Sequence, residues 1–159
     1  MRHWILQQNK VMANIRSSAV KKLLGELGRV ADNEPETYTQ FIEQFNRPLK
    51  EGLYSDFTNR DTLLELVRFK STAVEGYTSL AEYKERMKED QKAIYYITGE
   101  DENTLRNSPL LEAYKKREIE VLIMDDDIDE IVVPSIGTYD ETELKSVNRT
   151  GADEDLSTE

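Results

Sequence analysis

The chain contains no cysteine. That removes disulfide frameworks, thiolate metal sites and cysteine nucleophiles together, and it fits a reducing compartment, so the expected location is cytoplasmic. Histidine occurs once, as His3, and a lone imidazole near the terminus assembles neither a serine–histidine pair nor a multi-histidine metal site. Long apolar runs are missing as well: Val121 to Met124 and Ile131 to Val133 fall far short of the roughly 18 residues that a membrane span requires. Positive charge is scarce. Against 32 Asp and Glu there are 21 Lys and Arg, a formal net charge of −11, and no basic stripe offsets a field that repels nucleic-acid phosphates and anionic lipids. Neither nucleic acid nor membrane is an expected partner. The opening residues Met1 to Trp4 also lack the apolar region and cleavage site of an export signal.

What is present is a polar, globular composition. With 159 residues, 38% hydrophobic and 33% charged, the chain is long enough for one domain or two subdomains with surface-rich helices. Ile5, Met12, Ile15, Ala19, Leu23 and Leu27 recur at helical spacing and predict a long amphipathic helix, ended by Gly25 and Gly28. Asn33 and Pro35 open a second helix with Tyr38, Phe41, Ile42, Phe45 and Leu49 on its buried face, and Pro48 is expected to end or kink it near Asn46 and Arg47. Thr58 or Asn59 caps a third helix through Leu63 to Val67, and Ser79 with Glu82 forms a capping box for a fourth. Sheet is expected to begin only after Met87. Ala93 to Thr98 is a β-branched and aromatic run closed by Gly99, Ser108 and Pro109 start a helix, and Val121 to Met124 is a second strand. This β-α-β order implies parallel strands, with a third at Leu144 to Val147 after a helix near Ile128. The predicted fold is therefore α/β: a helical connector over 1–88, a small three-layered α/β/α subdomain with a parallel sheet over 89–148, and an acidic linker or tail over 149–159.

Candidate chemistry is thin. Asp125, Asp127 and Asp129 reproduce the first half of a calcium loop, but Glu130 replaces the required glycine and Ile136 the bidentate glutamate, so the cluster is expected to cap the following helix and no metal site is expected. Thr98-Gly99-Glu100 ends a strand where α/β proteins bind ligands, yet one glycine makes neither a P-loop nor a dinucleotide fingerprint. Tyr95 and Tyr96 point to opposite faces and read as core. Arg16, Lys21 and Lys22, near Glu26, read as a solvated helix face. No catalytic residue is assigned. Residue chemistry alone leads to an acidic two-part module, with a flavodoxin-like ligand-binding protein and a passive adaptor as alternatives.

Several ordered runs carry a resemblance that goes further. ILQQNKVMANIR at Ile5 to Arg16, LKEG at Leu49 to Gly52 and YKERMKEDQKAIYYITGE at Tyr83 to Glu100 resemble the middle domain of the heat-shock protein 90 chaperone family. LVRFKST at Leu66 to Thr72, SPLLEAYKKREIEVLIM at Ser108 to Met124 and DIDE at Asp127 to Glu130 extend the likeness, and DFTNRDTLLELVRF at Asp56 to Phe69 is similar to the bacterial branch. The resemblance implies a segment of an ATP-dependent chaperone that couples nucleotide hydrolysis to client folding. It implies an N-terminal ATPase domain and a C-terminal dimerisation domain in the same longer chain, a homodimer, and unfolded or partly folded clients as partners. ATP and Mg²⁺ would belong to the parent, with no cofactor in this segment. The family's arginine that reaches the ATP γ-phosphate falls at His3, and Arg2 lies one residue out of register, so that role does not transfer. Gln7 matches a nucleotide-proximal polar position. Glu130, Ile131, Val132 and Val133 match the client-binding helix, with Ile131 where relatives often carry an aromatic ring.

Overall fold

The computed structural model describes residues 2–149, 152 and 156, with side chains from residue 10 onward. The chain divides into two compact units, residues 1–40 and 41–159. The first holds helix α1 (Arg2–Asn33) and the start of α2 (Pro35–Ser55). Contrary to the sequence expectation, α1 runs through both Gly25 and Gly28. Neither glycine has anything within 4 Å of its Cβ position, and a glycine in an exposed helix costs only about 1 kcal/mol relative to alanine, too little to break a helix of 32 residues. Leu24 is buried, while Val11, Met12, Ile15 and Leu23 are exposed.

Helix α2 likewise passes its proline. Pro48 lacks the N–H that would bond the Gln44 carbonyl, a penalty of about 3 kcal/mol in a helix interior. Burial of Ile42, Leu49 and Leu53 on the same helix offsets it, at roughly 1.5–3 kcal/mol for each fully buried apolar side chain. Asn46, expected at the helix end, instead ties α2 to the chain beyond α3 (Arg60–Leu66): its amide donates to the Arg68 carbonyl at 2.8 Å and its oxygen accepts from the Arg68 N–H at 3.1 Å.

Among the described residues the sheet has six strands. They are β1 (Phe69–Ser71), β2 (Tyr77–Thr78), β3 (Ile94–Thr98), β4 (Val121–Met124), β5 (Thr138–Tyr139) and β6 (Thr142–Ser146), in the order β2-β1-β4-β3-β6-β5. The parallel centre is the one read from sequence: β3 lies between β4, with Tyr96 opposite Leu122, and β6, with Tyr96 opposite Ser146. The edges differ. β1 pairs antiparallel with β2 and β4, and β5 antiparallel with β6, so the sheet is mixed and begins at Phe69, within a stretch read as helical. Three- and two-residue strands carry too little periodicity to announce themselves; their partners create them.

Alternation along the strands sends Tyr95, Ile97, Val121 and Ile123 to one face. There they meet Leu105 of α5 (Glu102–Arg106), Leu111 of a 3-10 turn (Pro109–Leu111) and Tyr114 of α6 (Glu112–Lys116). Leu156, in the stretch read as linker, joins the same core. Ile94, Tyr96, Leu122 and Met124 face the other side and are buried too, as a sheet covered on both faces requires. Helix α4 (Leu80–Arg86) opens on the expected capping box: the Glu82 N–H donates to Ser79 Oγ at 3.1 Å and the Ser79 N–H to Glu82 Oε1 at 2.9 Å.

Tyr83 of α4 is the polar hub of the core. Its hydroxyl donates to the Glu120 carbonyl at 2.7 Å and accepts from the Tyr95 N–H at 3.1 Å and from Gln91 Nε2 at 2.8 Å. Gln91 also donates to the Ala93 carbonyl at 2.8 Å. Burial pushes the Tyr83 hydroxyl far above its ordinary range. The long run from Tyr83 to Glu100 is thus one structural unit: helix, turn and central strand sewn together by a tyrosine and a glutamine.

Candidate functional site

The polypeptide leaves the carboxyl end of β4 through Asp125, Asp126 and Asp127 and enters α7 (Asp129–Ile136). At about 100° per residue, Asp129, Val132, Val133 and Ile136 fall on one side of α7 and Glu130, Ile131, Pro134 and Ser135 on the other. Burial follows that division: the first four are buried and the second four exposed. Of the four residues matched to a client-binding helix, Glu130 and Ile131 therefore face solvent, Ile131 with 60% of its surface exposed. Val132 and Val133, 3% and 1% exposed, hold the helix to the core.

The inner side is also anchored by charge. Lys50 Nζ of α2 lies 2.9 Å from Asp129 Oδ1 and 3.7 Å from Asp126 Oδ2, and only 6% of the Lys50 side chain and none of Asp129 is exposed. The short contact is a buried ion pair. Asp129 Oδ2 accepts from the Asp126 N–H at 3.2 Å. Burial holds the Asp129 carboxyl above its ordinary range, opposed by Lys50. The aspartates are expected to cap a helix opening at Ile128; Ile128 is itself the N-cap residue, without a side-chain cap, and Asp129 stands in the first turn. Asp129, inside the first turn, reaches back instead, because Lys50 fixes where its carboxylate must sit.

Outside this buried pair, Arg47 bonds Asp126 Oδ1 at 2.9 Å and also Asp127, whose carboxyl it holds below the usual range. Lys70 of β1 bridges Asp125 at 2.9 Å and Glu102 at 3.0 Å. The acidic triplet thus serves to collect cations from α2 and β1, and among the described residues no group of three or more His, Asp and Glu has metal-binding geometry.

On the far flank of α7, Arg60 donates to the Ser135 carbonyl and packs against Phe57, 5.8 Å from the ring centroid. Phe57 is 76% exposed. Sequence reading missed Phe57 and Arg60, since a lone aromatic before α3 gives no periodic signal. Glu130 and Pro134 also line a cleft of about 340 Å³, together with Tyr96 and Leu144.

The other sequence candidates resolve differently. His3 and Gln7 lie outside the residues whose side chains are described. The Thr98 crest is closed by Asn148, whose Oδ1 accepts from the Thr98 N–H at 2.9 Å and whose Nδ2 donates to the Thr98 carbonyl at 3.3 Å. Gly99 makes room for Leu105, whose Cδ2 would stand 2.6 Å from a Cβ there. Tyr95 is core, its ring 5.0 Å from that of Tyr114.

The family model described as Hsp90 protein matches residues 2–159, and the chain belongs to the Hsp90 family. It is 58% identical over 159 residues to Chaperone protein HtpG of Treponema denticola, covering 98% of this chain and 25% of that protein. It is 56% identical over 156 residues to Chaperone protein HtpG of Treponema pallidum, covering 96% of this chain and 24% of that protein. Among solved structures, the middle domain of a Plasmodium falciparum heat shock protein superposes with a TM-score of 0.82 at 34% identity, over 89% of this chain and 60% of that one. The chain spans about a quarter of the length of the curated relatives.

Proposed function

We propose that this chain is a middle segment of an ATP-driven chaperone, in which α7 presents an apolar contact to unfolded or partly folded clients. The carrying observation is Ile131, exposed on a helix whose opposite side is pinned by Val132, Val133 and the Lys50–Asp129 pair. A protein that must bind many sequences needs an apolar residue held rigidly in water, because binding then costs little ordering of the receptor.

ATP and Mg²⁺ belong to an N-terminal domain of the longer protein, a C-terminal domain makes the homodimer, and the whole resides in the cytoplasm. Phosphoryl transfer needs a nucleotide pocket and a cation aimed at the developing charge. The present chain contributes coupling: α1, whose 32 residues span about 48 Å, serves as a lever, with Gln7 near the nucleotide. This reading is supported by the family membership. The ligand-binding alternative is weakened by Asn148, which occupies the crest such a protein would use.

Titration of a labelled, permanently unfolded protein with the chain tests the contact. Ile131→Ser is expected to weaken binding about tenfold or more, since burying such a side chain is worth roughly 1.5–3 kcal/mol. Unchanged affinity would refute it.

A further inference from the structure

The turn between α2 and α3 carries Phe57, a large apolar side chain with 76% of its surface in water. The turn is locked by its own bonds. Asp56 accepts from the Asn59 N–H at 3.2 Å and from Asn59 Nδ2 at 2.7 Å, and the Arg60 N–H donates to the Phe57 carbonyl at 3.5 Å. A ring presented on a bonded turn gives up little freedom when a partner covers it.

Arg60 ties this ring to α7. The last four carbonyls of a helix lack intrahelical donors, and the last turn of α7 has no basic residue of its own. Arg60 supplies both from another segment. It donates to the Ser135 carbonyl, where a cation suits the negative end of the helix dipole, and its guanidinium lies 5.8 Å from the Phe57 ring centroid. Ser135 stands one turn beyond Ile131 and is exposed as Ile131 is, and residues four apart share one side of a helix. One guanidinium, one hydrogen bond and one helical turn therefore hold Phe57 within about 20 Å of Ile131, a distance that about six residues of extended chain span.

The two apolar points are separate, and that selects the occupant. Asp56, Thr58 and Asn59 adjoin Phe57 in the chain, and Glu130 and Ser135 share the outer side of α7 with Ile131. Two such side chains offer on the order of 300 Å², well below the roughly 800 Å² per partner that a stable interface between folded proteins buries. A second folded copy of this chain would gain too little. An extended segment fits instead, laying one apolar side chain on each point and its backbone amides among the polar residues between them.

Resting on the client-contact reading of α7, we infer that Phe57 is a second apolar contact for the same client segment, with Arg60 the positioning residue that sets its distance from Ile131. The preferred client is an extended chain carrying two apolar side chains up to about six residues apart.

The test uses the 159-residue chain and two labelled, unstructured peptides of identical composition. Each has two leucines in an uncharged background of serine, glycine and asparagine, either six residues apart or adjacent. Anisotropy titration is expected to give the spaced peptide about tenfold tighter binding, since its second leucine is held near its contact once the first is bound. Phe57→Ser is expected to bring the ratio close to one while changing the adjacent peptide by no more than about twofold, the loss of one of two sites. Arg60→Gln is expected to shrink the ratio and Arg60→Lys to restore part of it, with the adjacent peptide unchanged in both. Leu110→Ser removes a side chain that is 48% exposed on the 3-10 turn and is expected to preserve the ratio. Equal binding of the two peptides overturns the inference. So does a ratio that survives Phe57→Ser, or one that falls equally in Leu110→Ser, since the preference would then be general apolar adhesion. A ratio that Arg60→Gln leaves intact overturns the positioning role. Ile131→Ser separates the two readings: if it weakens the spaced peptide and Phe57→Ser does not, the α7 contact stands and Phe57 fails alone. If Ile131→Ser leaves both peptides unchanged while Phe57→Ser weakens them, the α7 reading fails and this inference with it.

Discussion

Replacing Lys50 by methionine is the most direct way to ask what holds α7 in place. Lys50 and Asp129 are removed from water almost completely, with side chains 6% and 0% exposed. Methionine retains the apolar stem and its packing over Phe69, whose ring centroid lies 5.2 Å from Nζ, but deletes the charge. Asp129 then keeps only the Asp126 N–H at 3.2 Å and faces the Asp126 carboxylate without a screening cation. Removing one partner of a buried pair costs about 3–5 kcal/mol because the survivor is an uncompensated buried charge. Urea unfolding followed by circular dichroism at neutral pH should show a loss of that size with an unchanged slope.

The pH dependence has a definite sign. The folded-state pKa of Asp129 is already raised by burial, and loss of Lys50 raises it further. A carboxyl with a raised folded pKa favours folding when protonated; that contribution is complete below the unfolded pKa and is lost as pH rises through the folded one. The Lys50→Met deficit should therefore shrink on acidification, as Asp129 takes up a proton. Lys50→Met with Asp129→Leu should recover most of the loss, since an apolar pair of similar volume is often neutral or stabilising. A single variant within about 1 kcal/mol of the parent, or a deficit that grows toward low pH, would refute the reasoning.

Two further outcomes follow from other parts of the fold. Tyr83→Phe removes the partner of the buried Tyr95 N–H and of the Glu120 carbonyl, so stability should fall by about 2–4 kcal/mol, taking roughly 1–3 kcal/mol for an orphaned buried group. Hydrogen exchange at the Tyr95 amide should accelerate, and an unchanged exchange rate would speak against the hub. The turn joining β5 to β6 places Asp140 at φ 47° and Glu141 at φ 67°, the two-residue left-handed geometry that favours glycine; Glu141→Gly should raise stability by about 0.5–1 kcal/mol, measurable as a higher urea midpoint.

Much of the architecture was legible in the residue pattern. The central strand at Ile94 to Thr98, its parallel partners, the Ser79–Glu82 box and the Ser108–Pro109 start all carry local signals, because each depends on spacing within a few residues. Breakers were overread: Gly25, Gly28 and Pro48 each impose a penalty of a few kcal/mol at most, which helix continuation and the burial of Leu49 and Leu53 exceed. The antiparallel strands β1 and β2 were not legible, since short strands exist only by pairing with β4 or with each other.

For the site, the sequence by itself determined that the segment after β4 is acidic, helical and apolar, and its family likeness pointed to Glu130, Ile131, Val132 and Val133. Only the tertiary structure decided which of these face water. Helical periodicity places Ile131 opposite Val132 and Val133, but which side is buried depends on the sheet beneath and on Lys50, 79 residues before Asp129 in the chain. A buried ion pair and an exposed apolar residue are both defined by what surrounds them, and that surrounding is assembled from strands, helices and loops that no local window of sequence contains.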